Sequence, residues 1–467
     1  MLKKNKISNR SAWLWVIPVL FICCVQEKKE IRKSSTYYID SIAGNDQADG
    51  SAAATAWKTF SRITPGLLRP GDTVSFRRGA SFTGPLVITD NGLPGKPIVL
   101  KDYGDPAAAA PAFTNGVFEQ DNYGNCIRIE GSYVVVENLY FHNTAAYKRG
   151  SYTPREGWDT VVWEMGAVYI DKTARGCIVR NNEFVDCVVG IKSYGPGMKA
   201  EKNLLRDCNR VLKEWGWGPI AIWFGGDQQE ACYNTIINYR AENPNIRWDE
   251  GIGGGADGGA FEIDDARYNK SDISIHHNYT RDCQGFLEVT WTDIRQHPDY
   301  RGFRIHHNIS DDYQQFVAMW NGAGAFIEHN TIVRRKKNVN DWGVFNITQD
   351  NSANIVRNNI IVTEKDIPIF NTGLRMSKNP QTVIANNLYY AASGSLVMGK
   401  EGPGTNPVYG NPMFMQYSAG QQPEDYFILG NSAAIDKGMP LDYKKDFRGI
   451  AIPVGSAPDL GAAEYQP

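Results

Sequence analysis

One short phrase recurs through the middle of the chain and limits what it can fold into. It reads apolar–x–apolar–x–Asn, followed by a few polar residues and a second apolar alternation. It occurs as VVVENLYF (134–141), CIVRNNEFVDC (177–187), ACYNTIIN (231–238), ISIHHNYTRDC (273–283), FRIHHNISDDY (303–313), FIEHNTIV (326–333), NIVRNNIIV (354–362) and TVIANNLYY (382–390). The asparagines are Asn138, Asn182, Asn234, Asn278, Asn308, Asn330, Asn359 and Asn387, with Asn203 marking a further turn. Successive steps run from 21 to 44 residues. An apolar spacing of two calls for strands, and a period of 20–30 residues calls for a solenoid. The 44-residue steps mark coils with long insertions, and no helical repeat fits. The expected fold is all-β: one solenoid of short strands with Asn at its corners and long loop insertions.

Composition agrees. The 467 residues include 46 Gly, 12 Trp and 23 Tyr, which suits many turns joined by short strands. The formal charge is −2, from 49 Lys+Arg against 51 Asp+Glu. A nucleic-acid binder usually carries a basic footprint, so no nucleic-acid partner is expected.

At the N-terminus, Lys3, Lys4, Lys6 and Arg10 precede an apolar run from Ala12 to Val25 that is short for a membrane span. It resembles a bacterial lipoprotein signal over residues 1–24, with Cys24 as the lipidated residue; an ordinary secretory signal is the alternative. Residues 25–36 then read as a tether. The protein is therefore expected to be exported, to the periplasm or to the outer-membrane surface of a Gram-negative bacterium. Its only membrane contact would be the lipid anchor, and it is expected to be a monomer. Six further cysteines follow: Cys126, Cys177, Cys187, Cys208, Cys232 and Cys283. No C-x-x-C pair occurs, so a structural zinc site is not expected. Cys187, Cys208 and Cys283 each lie five residues after a ladder Asn and read as a buried stack, with a Cys187–Cys208 bond allowed.

Three stretches resemble the parallel β-helix superfamily of exported carbohydrate-active proteins. They are YYIDSIAGNDQADG (37–50) with PGDTVSFRRG (70–79), the stacked Asn corners, and YFILGNSAAIDKG (426–438) with DLGAAEY (459–465). The likeness covers most of residues 37–467: entry coils at 37–115, central coils at 116–404 and C-terminal coils at 405–467. The resemblance implies the fold, a single-stranded right-handed parallel β-helix (solenoid) with an inward asparagine ladder and long loop insertions, and no single reaction, because this superfamily hosts lyases, hydrolases, esterases and inert adhesins.

Aligning the coils on a leading Gly or its equivalent gives GAVYID (166–171), PIAIWF (219–224), GAFEID (259–264), GFLEVT (285–290), QFVAMW (315–320) and GVFNIT (343–348). The fourth and sixth positions then face outward and form two columns. One holds Tyr169, Ile222, Glu262, Glu288, Ala318 and Asn346; the other holds Asp171, Phe224, Asp264, Thr290, Trp320 and Thr348. Glu262, Asp264 and Glu288 converge on one face, a pattern that suits acid–base chemistry or a bound Ca2+. Tyr169 and Lys192 are candidate bases, as are Arg295 and His297. Trp223, Trp291, Trp320, Arg295, His297 and Asp257 are candidate substrate contacts. Lys192, Arg267, Lys270, Arg295 and Arg301 around the acids favour an acidic poly- or oligosaccharide.

Two chemistries follow, elimination at a uronate and hydrolysis by a Glu/Asp pair, with a slight lean to the lyase. A third reading is a non-catalytic glycan binder. The calcium-dependent lyases of this superfamily carry Glu-x-Glu followed by Lys; here GFLEVTWTDI (285–294) keeps only Glu288. His277, His307 and His329 repeat beside the ladder and read as structural, while His276 and His306 face the opposite way.

Overall fold

The computed structural model describes residues 33–115, 124–144, 164–209, 218–240, 258–265, 267–289, 296, 299–319, 324–335, 343–347, 353–370, 382–399, 401–418 and 420–467. Cys24, Asp257, Trp291, Arg295, His297 and Trp320 lie outside these residues, as do Thr290 and Thr348.

Three parallel sheets wind around one apolar core. Among the described residues they contain twelve, twelve and eleven strands. One coil shows the path. Ile178–Arg180 lies in sheet I, the chain turns at Asn182, Glu183–Cys187 lies in sheet II and Val189–Ser193 in sheet III. Lys199–Glu201 then re-enters sheet I directly above Ile178–Arg180. Each strand is only two to six residues long, so backbone pairing between coils carries the cohesion that long strands supply elsewhere.

The first corner is built by two adjacent residues with different tasks. The residue before each ladder Asn takes the left-handed conformation, as at Asn181 (φ 54°), Lys202 (55°), Tyr233 (58°), His277 (55°) and Asn358 (58°). That sharp bend turns the next side chain inward. The ladder amides then bond coil to coil: Asn278 Nδ2 donates to Asn308 Oδ1 at 3.0 Å, and Asn308 Nδ2 to Asn330 Oδ1 at 3.0 Å. The series runs from Asn182 to Asn387. Asn138 does not belong to it. It is the left-handed residue of its coil (φ 61°), and Leu139 takes the inward place, its N–H donating to Asn182 Oδ1 at 3.0 Å. Asn and His tolerate the left-handed region better than most residues, so an Asn alone does not distinguish the bend from the ladder.

The second corner repeats the device with Asp186, Asp207 and Asp282 left-handed (φ 54–57°) and Cys187, Cys208 and Cys283 turned in. All six described cysteines are buried free thiols, and the Cys187–Cys208 bond that spacing allows is absent. His277, His307 and His329 stack at 5.2 and 4.9 Å beside the ladder, under Phe447 and Tyr443. After Val408–Tyr409 no further strand joins the three sheets among the described residues. The remaining chain packs a second apolar cluster, including Phe414, Tyr426, Phe427 and Leu460, against the outer side of Tyr279, Ile309 and Ile360.

Candidate active site

Pairing along sheet III fixes one column of side chains, each directly beside the next. Its order is Arg128, Tyr169, Lys192, Trp223, Glu262, Glu288, Ala318 and Asn346. The expected column is corrected at two places. Lys192 enters through a coil, Val189–Ser193, that has no leading Gly to align on. Trp223 replaces Ile222, which pairs with Phe261 and faces the core. A one-residue slip exchanges the two faces of a strand, so Phe224 also moves inward, opposite Ile263.

Glu262 and Glu288 are therefore register partners on adjacent strands, at a spacing of roughly 4.8 Å. Asp264 follows Glu262 by two residues on the same face, roughly 6.6 Å along. The column faces away from the core, yet its members are nearly closed from solvent: Glu262 is 5% exposed, Glu288 7%, Asp264 8% and Lys192 0%. Carboxylates on an ordinary outer sheet face would be open. These acids sit in a protein-lined recess where charge interactions are strong.

Lys192 Nζ lies 3.2 Å from the centre of the Trp223 ring and 5.5 Å from that of Tyr194. Burial drives its pKa well below the usual lysine value, against the pull of Asp264, Asp265 and Glu262. Tyr169 is pushed up by burial and by Glu164 and Asp171, and Arg128 lies 4.7 Å over its ring. Its phenol stays protonated across the working range, so it can donate a proton more readily than it can serve as a base.

Asp265, Tyr194 and Tyr300 are site residues that the sequence did not single out. Asp265 is fully buried and holds Arg267 in a two-pronged pair at 2.7 and 2.6 Å. Burial raises the Asp265 carboxyl, but the Arg267 hydrogen bonds outweigh it and leave the pKa lowered. Its backbone N–H donates to Asp264 Oδ1, and Lys270 Nζ donates to its carbonyl. Burial lowers Lys270 to about 8 against the attraction of Asp265 and Asp264. Tyr300 Oη donates to Ile263 O at 2.9 Å and its ring lies 5.1 Å from Lys270 Nζ. Arg301 pairs with Asp299 at 3.2 Å. Three cations expected to greet an acidic substrate are thus engaged: Arg267 with Asp265, Lys270 with backbone carbonyls and Arg301 with Asp299. A signal for Asp265 exists in the Asp-Asp pair 264–265, but its pairing with Arg267 needs the turn after the strand to be known.

No family model matches the sequence. A lacto-N-biosidase from Bifidobacterium longum subsp. longum is 24% identical over 331 residues, covering 61% of this chain and 20% of the relative. The chain thus spans about a fifth of the length of the curated relative it matches. Among solved structures, XylC in complex with xylose aligns with a TM-score of 0.52 at 11% identity, over 91% of this chain and 98% of that one. A GH136 lacto-N-biosidase from Eubacterium ramulus aligns with a TM-score of 0.45 at 16% identity, over 78% and 68%. The chain shares with these structures the fold already described, a parallel β-helix. In such a β-helix the outer face of a sheet offers a row of side chains at fixed intervals, which suits a ligand built of repeating units.

Proposed function

We propose that the protein is a glycoside hydrolase whose chemistry is done by two of the three carboxylates Glu262, Asp264 and Glu288. The observation that carries this reading is their convergence, nearly closed from water, beside Trp223 and Lys192 on one column. Hydrolysis needs one carboxyl to protonate the glycosidic oxygen and a second to attack the anomeric carbon or activate water. Glu262 and Glu288 leave neighbouring strands about 4.8 Å apart, within reach of the ~5 Å carboxyl separation of direct attack and retention. Asp264, just past the strand end at Ile263, is a second partner for Glu262 about 6.6 Å along the chain, within reach of the wider separation that admits a water and gives inversion.

The sequence likeness to a lacto-N-biosidase supports hydrolysis over the elimination favoured by the residues alone. The engagement of Arg267, Lys270 and Arg301 removes part of the case for an acidic substrate.

Elimination remains the second reading because of Lys192. A buried lysine with a lowered pKa can be neutral near physiological pH and remove a proton. In that reading Glu262, Asp264 and Glu288 would hold a Ca2+ against a uronate carboxylate. The test replaces Glu262, Glu288 and Asp264 singly by their amides and follows reducing ends and ultraviolet absorbance on neutral and acidic oligosaccharides. Reducing ends without absorbance, lost in at least two variants, support hydrolysis. Absorbance that disappears with chelator and in Lys192→Met supports elimination. Full turnover in all three variants sinks both, and glycan binding without turnover by the native chain leaves a binding protein.

A further inference from the structure

Sheet I carries on its outer face a cluster of another kind. Cys232 and His276 are register partners on adjacent strands, and Glu230 precedes Cys232 by two residues on the same face. One oxygen, one sulfur and one ring nitrogen from these three side chains all lie within 4.8 Å of one another. Cys232 Sγ donates to Glu230 Oε1 at 3.2 Å, and His276 Nε2 is 3.2 Å from the same oxygen. Two donors at i and i+2 with a third on the next strand give a triangle of ligands, because both repeats are fixed by the pleat and the strand spacing.

The proton chain behind His276 bears on this triangle. His277 Nε2 lies 3.0 Å from the carbonyl oxygen of Asp446, which can only accept, so Nε2 carries the hydrogen. In the neutral, buried ring the His277 Nδ1 is then a lone pair. It stands 2.8 Å from His276 Nδ1, which must donate to it. That contact leaves His276 Nε2, 3.2 Å from Glu230 Oε1, as the ring nitrogen that a proton or a metal ion can occupy. The backbone carbonyl thus holds His276 in the tautomer that a metal ligand needs, by way of His277. One coil on, His306 and His307 repeat the Nδ1 contact at 3.0 Å, but His307 Nε2 meets no hydrogen-bond partner among the described residues.

We propose that Glu230, Cys232 and His276 bind a borderline divalent transition-metal ion of the Zn2+ type, with solvent at a fourth position. The mixed S, N and O set suits that class over Ca2+ or Mg2+, which prefer oxygen alone. Binding breaks the Cys232 S–H bond and forms a sulfur–metal bond, and the proton leaves to solvent. Lys199 Nζ lies 3.1 Å from both Glu230 and Glu201, so it can keep Glu201 when the ion takes Glu230. The absence of C-x-x-C does not bear on such a site, since its ligands come from two coils, 44 residues apart.

The test uses the full chain, stripped with chelator and titrated with Co2+ as a spectroscopic probe and then with Zn2+. The expected result is one ion per chain, a thiolate-to-Co2+ charge-transfer band, and proton release on binding. Cys232→Ser should lose the band and weaken Zn2+ binding by at least ~10-fold. His276→Gln, which keeps the thiol, should weaken Zn2+ equally and serves where the serine variant unfolds. Lys199→Met should tighten it. No uptake by the stripped protein, or uptake unchanged in Cys232→Ser and His276→Gln, overturns the site. None of these readouts depends on the glycosidase reading.

Discussion

Replacing Asn308 by Ala tests whether the asparagine ladder holds the coils together or merely fills the corner. Asn308 is fully buried and its side chain makes four hydrogen bonds. Its Nδ2 donates to Ile275 O at 2.9 Å and to Asn330 Oδ1 at 3.0 Å; its Oδ1 accepts from Asn278 N and Asn278 Nδ2, both at 3.0 Å. Each bond contributes about 1 kcal/mol net, and leaving the buried Asn278 N–H without an acceptor adds about 1–3 kcal/mol. The expected loss is roughly 5–7 kcal/mol. Asn182, at the ladder's end, makes three such bonds: to Val136 O, to Asn203 Oδ1, and from Leu139 N. Asn182→Ala leaves the Leu139 N–H without an acceptor in the same way and, with one bond fewer, should cost slightly less, roughly 4–6 kcal/mol. Urea midpoints followed by circular dichroism would measure both, with hydrogen exchange locating the loss, because a solenoid can unfold in parts. A loss below about 1 kcal/mol at Asn308, or a larger loss at Asn182, would refute the additive account.

Three other outcomes are expected. His329 is fully buried and burial lowers its pKa to about 4, so the folded state resists a proton that the unfolded chain accepts near 6.5. Its contribution is complete above about pH 6.5 and is lost as pH falls towards 4; the loss is roughly 3 kcal/mol, and His329→Gln should flatten this limb of a stability–pH curve. Trp223→Ala should cost about 3–5 kcal/mol and lower turnover, since it opens a cavity and removes the ring face against Lys192; a melting temperature within a degree of wild type would count against that packing. Where Lys192 is the base of an elimination, Lys192→Met should lower turnover at least ~100-fold while keeping thermal stability, because burial already holds the amine towards neutral; unchanged turnover would exclude Lys192 from the chemistry.

The ladder was legible because each Asn closes a strand at a recurring period, and few folds besides a solenoid repeat a strand and a corner in that way. It misled only at Asn138, where the bend and the inward place both accept the same residue type. Glu262 beside Glu288 was legible for a similar reason: in both coils a Gly, Gly259 or Gly285, stands three residues before the Glu. Trp223 was missed because Ile220, not Pro219, pairs with Gly259, so an alignment on Pro219 is one residue out; Lys192 was missed because Val189–Ser193 carries its Gly inside the strand and so escapes an alignment on leading glycines. The closure of the column was not legible at all. Alternation says which side of a strand a residue faces, and says nothing of what packs above it.

Register here is set at the corners and is indifferent to how much chain lies between them, as steps of 21 and 44 residues close on the same pairing. The molecule is in effect graduated, with marks at every coil. A carboxylate moved to the neighbouring coil shifts by about 4.8 Å, and by nothing smaller, whereas one moved along its strand shifts by about 6.6 Å. Distances between acid and partner on such a face can change only in whole divisions. Loops can lengthen or be exchanged around the site without disturbing its scale, so substrate preference and catalytic geometry are free to evolve separately.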